Sequence, residues 1–259
     1  MIYIDKNDKR KKMWLTSAHR GFFNSTLKEN TLAAFYNAYL NGADMFETDA
    51  RLTADGVLIS NHDKTAVGKN PATGETVTYT ISETNADVLC SLILSEDNKW
   101  GVQKIPTLEQ VFNLAYNTGM IVNVDLKNGY AGAEPVAKLA WKCGMRGKVI
   151  YALNGSGMQS INKIIELDPD AKFIDKPVNF TKEKLSELKD YEKRCYAYTA
   201  DFSQSNINSI RESGCMLAAT SLNASNFEQA IKHHPDMCEY QASDFKNIER
   251  DYFNKLKLY

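Results

Sequence analysis

Short apolar runs alternate with helical segments along almost the whole chain, and this alternation constrains the fold more than any other feature. Residues 15–20 and 45–52 read as strands. Between them, Leu32, Phe35, Ala38 and Tyr39 recur at helical spacing over 30–41, and Gly42 marks the stop. After Asp55-Gly56, a tight-turn signal, 57–61 continues extended. Thr107 and Gln110 then fit a capping box. The helix they open carries Leu108, Val111, Phe112 and Ala115 on one face and ends near Gly119. Further strand patterns lie at 120–126, 149–153, 172–175, 195–199, 216–222 and 237–242. Helical segments fall at 133–143, 158–167, 182–191, 205–212, 226–232 and 245–256.

About eight β–α units with short connections imply a parallel sheet. Eight such units in 259 residues favour a closed (β/α)₈ TIM barrel over an open doubly wound sheet. Gly155-Ser156-Gly157 lacks the spacing of a dinucleotide fingerprint. The chain is expected to form one domain over 1–259, with an insertion at about 64–104. That stretch is polar, broken by one apolar run at 88–94, and too long for a plain loop.

Charge narrows the partners. With 31 Lys+Arg against 32 Asp+Glu the net charge is -1, and the aromatic residues are not interleaved with basic ones. Neither feature suits a nucleic-acid surface. No run approaches the roughly 18 apolar residues that span a bilayer, so stable membrane insertion is not expected. Residues 1–12 are charged and carry no apolar signal core, and Arg10-Lys11-Lys12 reads as a solvated lead-in. The five cysteines are widely spaced with no C-x-x-C. They read as thiols of a reducing compartment, the cytoplasm. The oligomeric state is not written in the pattern.

In a (β/α)₈ barrel, chemistry sits at the C-terminal ends of the strands. The first strand ends in His19-Arg20-Gly21, and the second carries Glu47-Thr48-Asp49. The extended arm after it ends in His62-Asp63, and the third strand carries Asn123-Val124-Asp125-Leu126-Lys127. Residues two apart share a face, so Glu47 and Asp49 point one way, as do Asn123, Asp125 and Lys127. Three carboxylates at one mouth repel unless a cation sits among them. Oxygen ligands without cysteine suit a hard ion, Mg²⁺ or Ca²⁺. Two histidines can exchange protons near neutral pH. Arg20 can fork onto phosphate oxygens and Lys127 can add a point charge, so the substrate reads as anionic. Taken singly, each residue has an ordinary structural explanation; their joint position at successive strand ends does not.

The sequence resembles the glycerophosphodiester phosphodiesterase family. The resemblance runs through His19-Arg20-Gly21, Glu29-Asn30-Thr31, Ala34-Phe35, Ala38 and Gly42-Ala43-Asp44. It continues through Glu47-Thr48-Asp49, Thr53-x-Asp55-Gly56, His62-Asp63 and Ile105-Pro106-Thr107-Leu108-Glu109. It implies a phosphodiesterase-type barrel with a small insertion after the second strand. It also implies divalent-cation-dependent hydrolysis of a small-molecule glycerophosphodiester to glycerol 3-phosphate and an alcohol. By motif, Glu47, Asp49 and Asp125 would hold the metal, His19 and His62 would be the acid–base pair, and Arg20 and Lys127 would bind phosphate. The alternatives are a lyase that leaves a cyclic phosphate, and a barrel that binds a phosphodiester without cleaving it. The chain departs from the family at Asp125, where Glu is usual; Asp withdraws the ligand by roughly 1.5 Å. It departs also at Lys64-Thr65-Ala66-Val67, at Tyr198-Thr199 in place of Trp-Thr, and at Ser243-Asp244 in place of Thr-Asp.

Overall fold

The computed structural model describes residues 14–186, 188–241 and 247–249, with short backbone stretches at 3–4 and 10–11. Eight parallel strands form one barrel: β1 (Leu15–Ala18), β2 (Met45–Leu52), β3 (Ile121–Leu126), β4 (Val149–Ala152), β5 (Lys172–Asp175), β6 (Cys195–Thr199), β7 (Met216–Leu222) and β8 (Met237–Tyr240). Each pairs with its successor, and β8 pairs back onto β1, so the barrel closes. The connecting helices form the outer layer, as the alternation implies.

The two-residue period of the strands sorts their side chains. Outward residues such as Phe46, Val122, Val124 and Tyr151 pack under the helices in one large buried cluster. Phe46 stacks on Phe35 of the helix Leu32–Leu40 with ring centroids 4.3 Å apart. Burying such a ring stabilises the fold by roughly 1.5–3 kcal/mol. Inward residues Met45, Ile150, Ile174, Tyr196, Ala218 and Met237 form an apolar plug. One step further toward the C-terminal ends the buried residues turn polar: Ser17, Glu47, Asn123 and Glu239. The barrel is therefore sealed below and polar above.

Several boundaries differ from the sequence expectation for local reasons. The first strand stops at Ala18, not at residue 20, because Arg20 and Gly21 take φ values of 54° and 77°. The first helix starts at Leu32. Asn30 is left-handed (φ 55°), and Thr31 caps by accepting from the Ala34 N–H at 3.2 Å. The Thr107–Gln110 capping box forms as expected, and Gly119 ends that helix in the left-handed region. The helix expected at 182–191 is only Lys182–Leu185; left-handed Asp190 (φ 54°) then leads into a 3₁₀ turn. Of the closing helix expected at 245–256, residues 247–249 are helical and the rest lie outside the described residues, as do Ser243 and Asp244.

The stretch at 64–104 is a four-stranded antiparallel sheet, ordered Thr76–Thr80, Thr65–Lys69, Ile93–Asp97, Gly101–Lys104, with a helix at Ala86–Ser91. It has its own small core of Ala66, Ile81, Ala86, Leu89 and Leu92, completed by Ile59 and Ile105. Leu58–Ser60 pairs antiparallel with the end of β2 and joins the insertion to the barrel. Gln103 donates its Nε2 to the Thr26 carbonyl at 2.9 Å and accepts the Lys28 N–H at 2.7 Å, so the insertion also holds the loop before the first helix. No helix among the described residues is long and apolar enough to cross a membrane.

Gly21 is where the β1 end meets the first helix. A Cβ there would lie 2.7 Å from the Ala34 carbonyl carbon, on a residue with φ 77°. Gly21→Ala is expected to destabilise the protein by about 2–4 kcal/mol, strain and overpacking acting together. Urea unfolding checks this; an unchanged midpoint would contradict the close approach.

Candidate active site

β2 and β3 lie side by side, and their register pairs Glu47 with Asn123 and Asp49 with Asp125. Alternation then turns all four into the mouth, so the carboxylates arrive as two neighbouring levels. Glu47, Asp49 and Asp125 each bring a carboxylate oxygen within 4.8 Å of the others. Glu47 is buried and accepts the Arg20 backbone N–H at 2.8 Å. Burial, then the charges of Asp49, Glu239 and Asp125, raise its pKa well above the ordinary carboxylate range. Burial also raises Asp125, against the pull of Lys127.

The cations sit where this charge is densest. Lys127 Nζ lies 2.7 Å from Asp125 Oδ2 and 3.0 Å from Asp49 Oδ1. Burial opposes its charge, but the two aspartates outweigh burial and its pKa is raised. Arg20 pairs with Glu29 at 2.9 Å and approaches Asp49 Oδ2 at 3.6 Å through its Nε. Asp125 also accepts from Asn154 Nδ2. Asn30 organises the other side. Its Nδ2 donates to Asp49 at 2.6 Å, and its Oδ1 accepts from the Asp49 N–H at 3.2 Å and the Ser60 hydroxyl at 3.0 Å. These hard oxygen donors, crowded and incompletely neutralised, fit a divalent cation.

His19 stands over the cavity. Burial, then neighbouring Arg20, lower its pKa to about 4, so it is neutral at pH 7, and its Nδ1 is buried without a hydrogen-bond partner. His62 is partly exposed, and its Nδ1 is 2.8 Å from Asp63 Oδ1. Arg51 fixes its backbone by donating Nε and Nη2 to the His62 carbonyl at 2.9 and 2.6 Å. His62 is close enough to His19 to help depress the latter's pKa.

All seven sequence-derived residues thus gather at one mouth, which encloses a cavity of about 210 Å³ lined in part by His19, Glu47 and Asp125. The motif reading gave no role to Glu239, Asn154, Arg51 or the unpartnered Oδ1 of Asn123. Glu239 had a signal: it is a charged residue at the inward parity of Met237 in a barrel strand. Burial and the neighbouring carboxylates push its pKa up to about 7.

Fold and mouth together define a (β/α)₈ barrel with a carboxylate centre at its C-terminal face. Residues 19–152 match the model of the glycerophosphoryl diester phosphodiesterase family, and the chain belongs to that family. A glycerophosphodiester phosphodiesterase of Caldanaerobacter subterraneus is 35% identical over 123 residues, which cover 46% of this chain and 49% of that protein. The match thus spans about half the length of that relative. A glycerophosphoryl diester phosphodiesterase from Parabacteroides distasonis superposes with a TM-score of 0.71 at 23% identity, over 93% of this chain and 87% of that one. A phosphodiesterase of Oleispira antarctica in complex with its product sn-glycerol 3-phosphate superposes with a TM-score of 0.69 at 17% identity, over 92% and 97% of the two chains. Both likenesses extend the barrel assignment beyond residue 152.

The lowered pKa of His19 fixes a sign. Between about 4 and 6.5 the unfolded chain binds a proton that the folded chain refuses. The stability contributed by neutral His19 is full above 6.5 and is lost as the pH falls toward 4. Metal-free wild type should therefore lose urea stability relative to His19→Gln between pH 7 and pH 4.5. A pH-independent difference between the two would contradict a buried neutral imidazole.

Proposed function

We propose that this protein hydrolyses glycerophosphodiesters to glycerol 3-phosphate and an alcohol, with a divalent cation, Mg²⁺ or Ca²⁺. The observation that carries this reading is the meeting of three crowded carboxylates, two cations and a neutral histidine at one barrel mouth. Family membership supports the reaction class. The free thiols of Cys90, Cys143, Cys195 and Cys215 support a cytoplasmic setting.

Glu47, Asp49 and Asp125 would hold the cation, which when bound neutralises charge on the phosphoryl oxygens. Arg20 and Lys127 bind and orient the phosphate from the two sides of Asp49. Neutral His19 takes the proton of the attacking oxygen. His62 donates to the leaving oxygen from Nε2, since Asp63 engages its Nδ1. Asp63 orients the ring, and Arg51 holds the His62 backbone in place. The short Asp125 side chain, already engaged by Lys127 and Asn154, favours the geometrically tolerant Ca²⁺ over Mg²⁺.

Phosphorus NMR of the purified chain with glycerophosphocholine, glycerophosphoethanolamine or glycerophosphoinositol tests the reaction. A monoester signal matching sn-glycerol 3-phosphate is expected with Mg²⁺ or Ca²⁺, and its loss in EDTA. His19→Ala and His62→Ala should each reduce turnover by about 10²–10⁴. A persistent cyclic phosphate would replace hydrolysis with a lyase reaction, and near-wild-type turnover in both variants would remove the histidine assignment.

A further inference from the structure

We propose that Glu239 and Asn123 form a specificity subsite on the cavity floor, which receives the outer hydroxyl of the substrate's glyceryl arm. The inference rests on the phosphodiesterase reading above and assigns a residue outside the family-matched segment 19–152.

The barrel's layering places the subsite. On β8, Met237 belongs to the apolar plug, Glu239 is the next inward residue, and Gln241 follows at the rim. Glu239 is level in register with Ser17, two residues below His19, so it is the deepest charged group in the mouth. Its carboxylate accepts one long hydrogen bond, from the Ser17 hydroxyl at 3.4 Å. Among the described residues no Lys or Arg nitrogen lies within ion-pair distance of it. A carboxylate offers about four acceptor positions, so most of its capacity is unspent although the residue is only 7% exposed.

Asn123 provides an independent observation. It is 3% exposed, lines the same cavity, and leaves Oδ1 without a partner. A buried acceptor left unpaired is costly in the free protein. Two such acceptors lining one cavity call for a ligand that brings hydrogen-bond donors into it.

The remaining lining identifies the donor. Tyr198, Thr220, Ser221 and Gln241 supply uncharged hydroxyls and an amide, against two apolar residues, Ala152 and Ile174. Such a wall exchanges hydrogen bonds in both directions, as a polyol requires. A quaternary ammonium needs aromatic faces, and among the described lining residues Tyr198 is the one Phe, Tyr or Trp. With phosphate held higher, at Arg20 and Lys127, the arm that reaches the floor is the glyceryl one. A site built around a hydroxyl rejects the analogue that lacks it, because its own acceptors are then left unpaired.

The test compares glycerophosphoethanolamine with its analogue in which propane-1,2-diol replaces glycerol. The outer hydroxyl becomes hydrogen and the middle one stays. The metal-loaded wild type should prefer the glyceryl ester by about 10–100-fold in kcat/KM. In Glu239→Leu this ratio should collapse to within about threefold, through loss on the glyceryl ester alone, while Glu239→Gln, which keeps one acceptor, falls between. If Glu239→Leu does not fold, Glu239→Gln carries the comparison. Equal losses on both esters, or an unchanged ratio, would make Glu239 structural and overturn the proposal. Absence of turnover by wild type with either ester would defeat the phosphodiesterase reading instead. Calorimetric binding of sn-glycerol 3-phosphate and propane-1,2-diol phosphate then measures the same ratio, and equal affinities in wild type would overturn the subsite as well.

Discussion

Repulsion among carboxylates governs this molecule. Glu47, Asp49, Asp125 and Glu239 all project into one narrow mouth above an apolar plug. Two like charges about 4 Å apart cost about 4 kcal/mol at the effective dielectric of a protein surface. The neighbouring residues answer that cost. Lys127 stands between two of the aspartates, a backbone N–H faces Glu47, and the side-chain amides of Asn30 and Asn154 point their donors at Asp49 and Asp125. What these groups leave unneutralised is the site's attraction for a cation.

The site divides by rigidity. Glu47, Asp49, Asp125 and Lys127 ride on β2, β3 or the residue just beyond, tied by a continuous parallel ladder. A centre of fixed charge needs that precision. The histidines sit past strand ends, His19 in a tight turn with its N–H on the Tyr240 carbonyl and His62 just ahead of the insertion, clamped by Arg51.

Most of this was legible in the sequence because it follows from parity. The strands at 45–52, 172–175, 195–199 and 216–222 have the bounds that the apolar runs implied, and two-residue spacing alone turned Glu47 with Asp49 and Asp125 with Lys127 toward the mouth. What escaped were features set by left-handed residues and by the third dimension. The positive φ values at Arg20 and Asn30 moved two boundaries. The clamp of Arg51 on the His62 carbonyl joins β2 to the turn after Leu58–Ser60 and leaves no trace in spacing. Glu239 was readable by parity, but no motif drew attention to its strand.

The insertion has a small core of its own and looks like a detachable module. Gln103, however, holds both Thr26 and Lys28, and the loop it braces carries Glu29, which is paired with Arg20. Arg20 is therefore steadied at second hand by a residue from the far end of the insertion. Drift in that segment during divergence of the family would not be neutral. Two relatives with the same mouth and different insertions would hold this arginine with different firmness, and a chimera exchanging the segment would carry that difference with it.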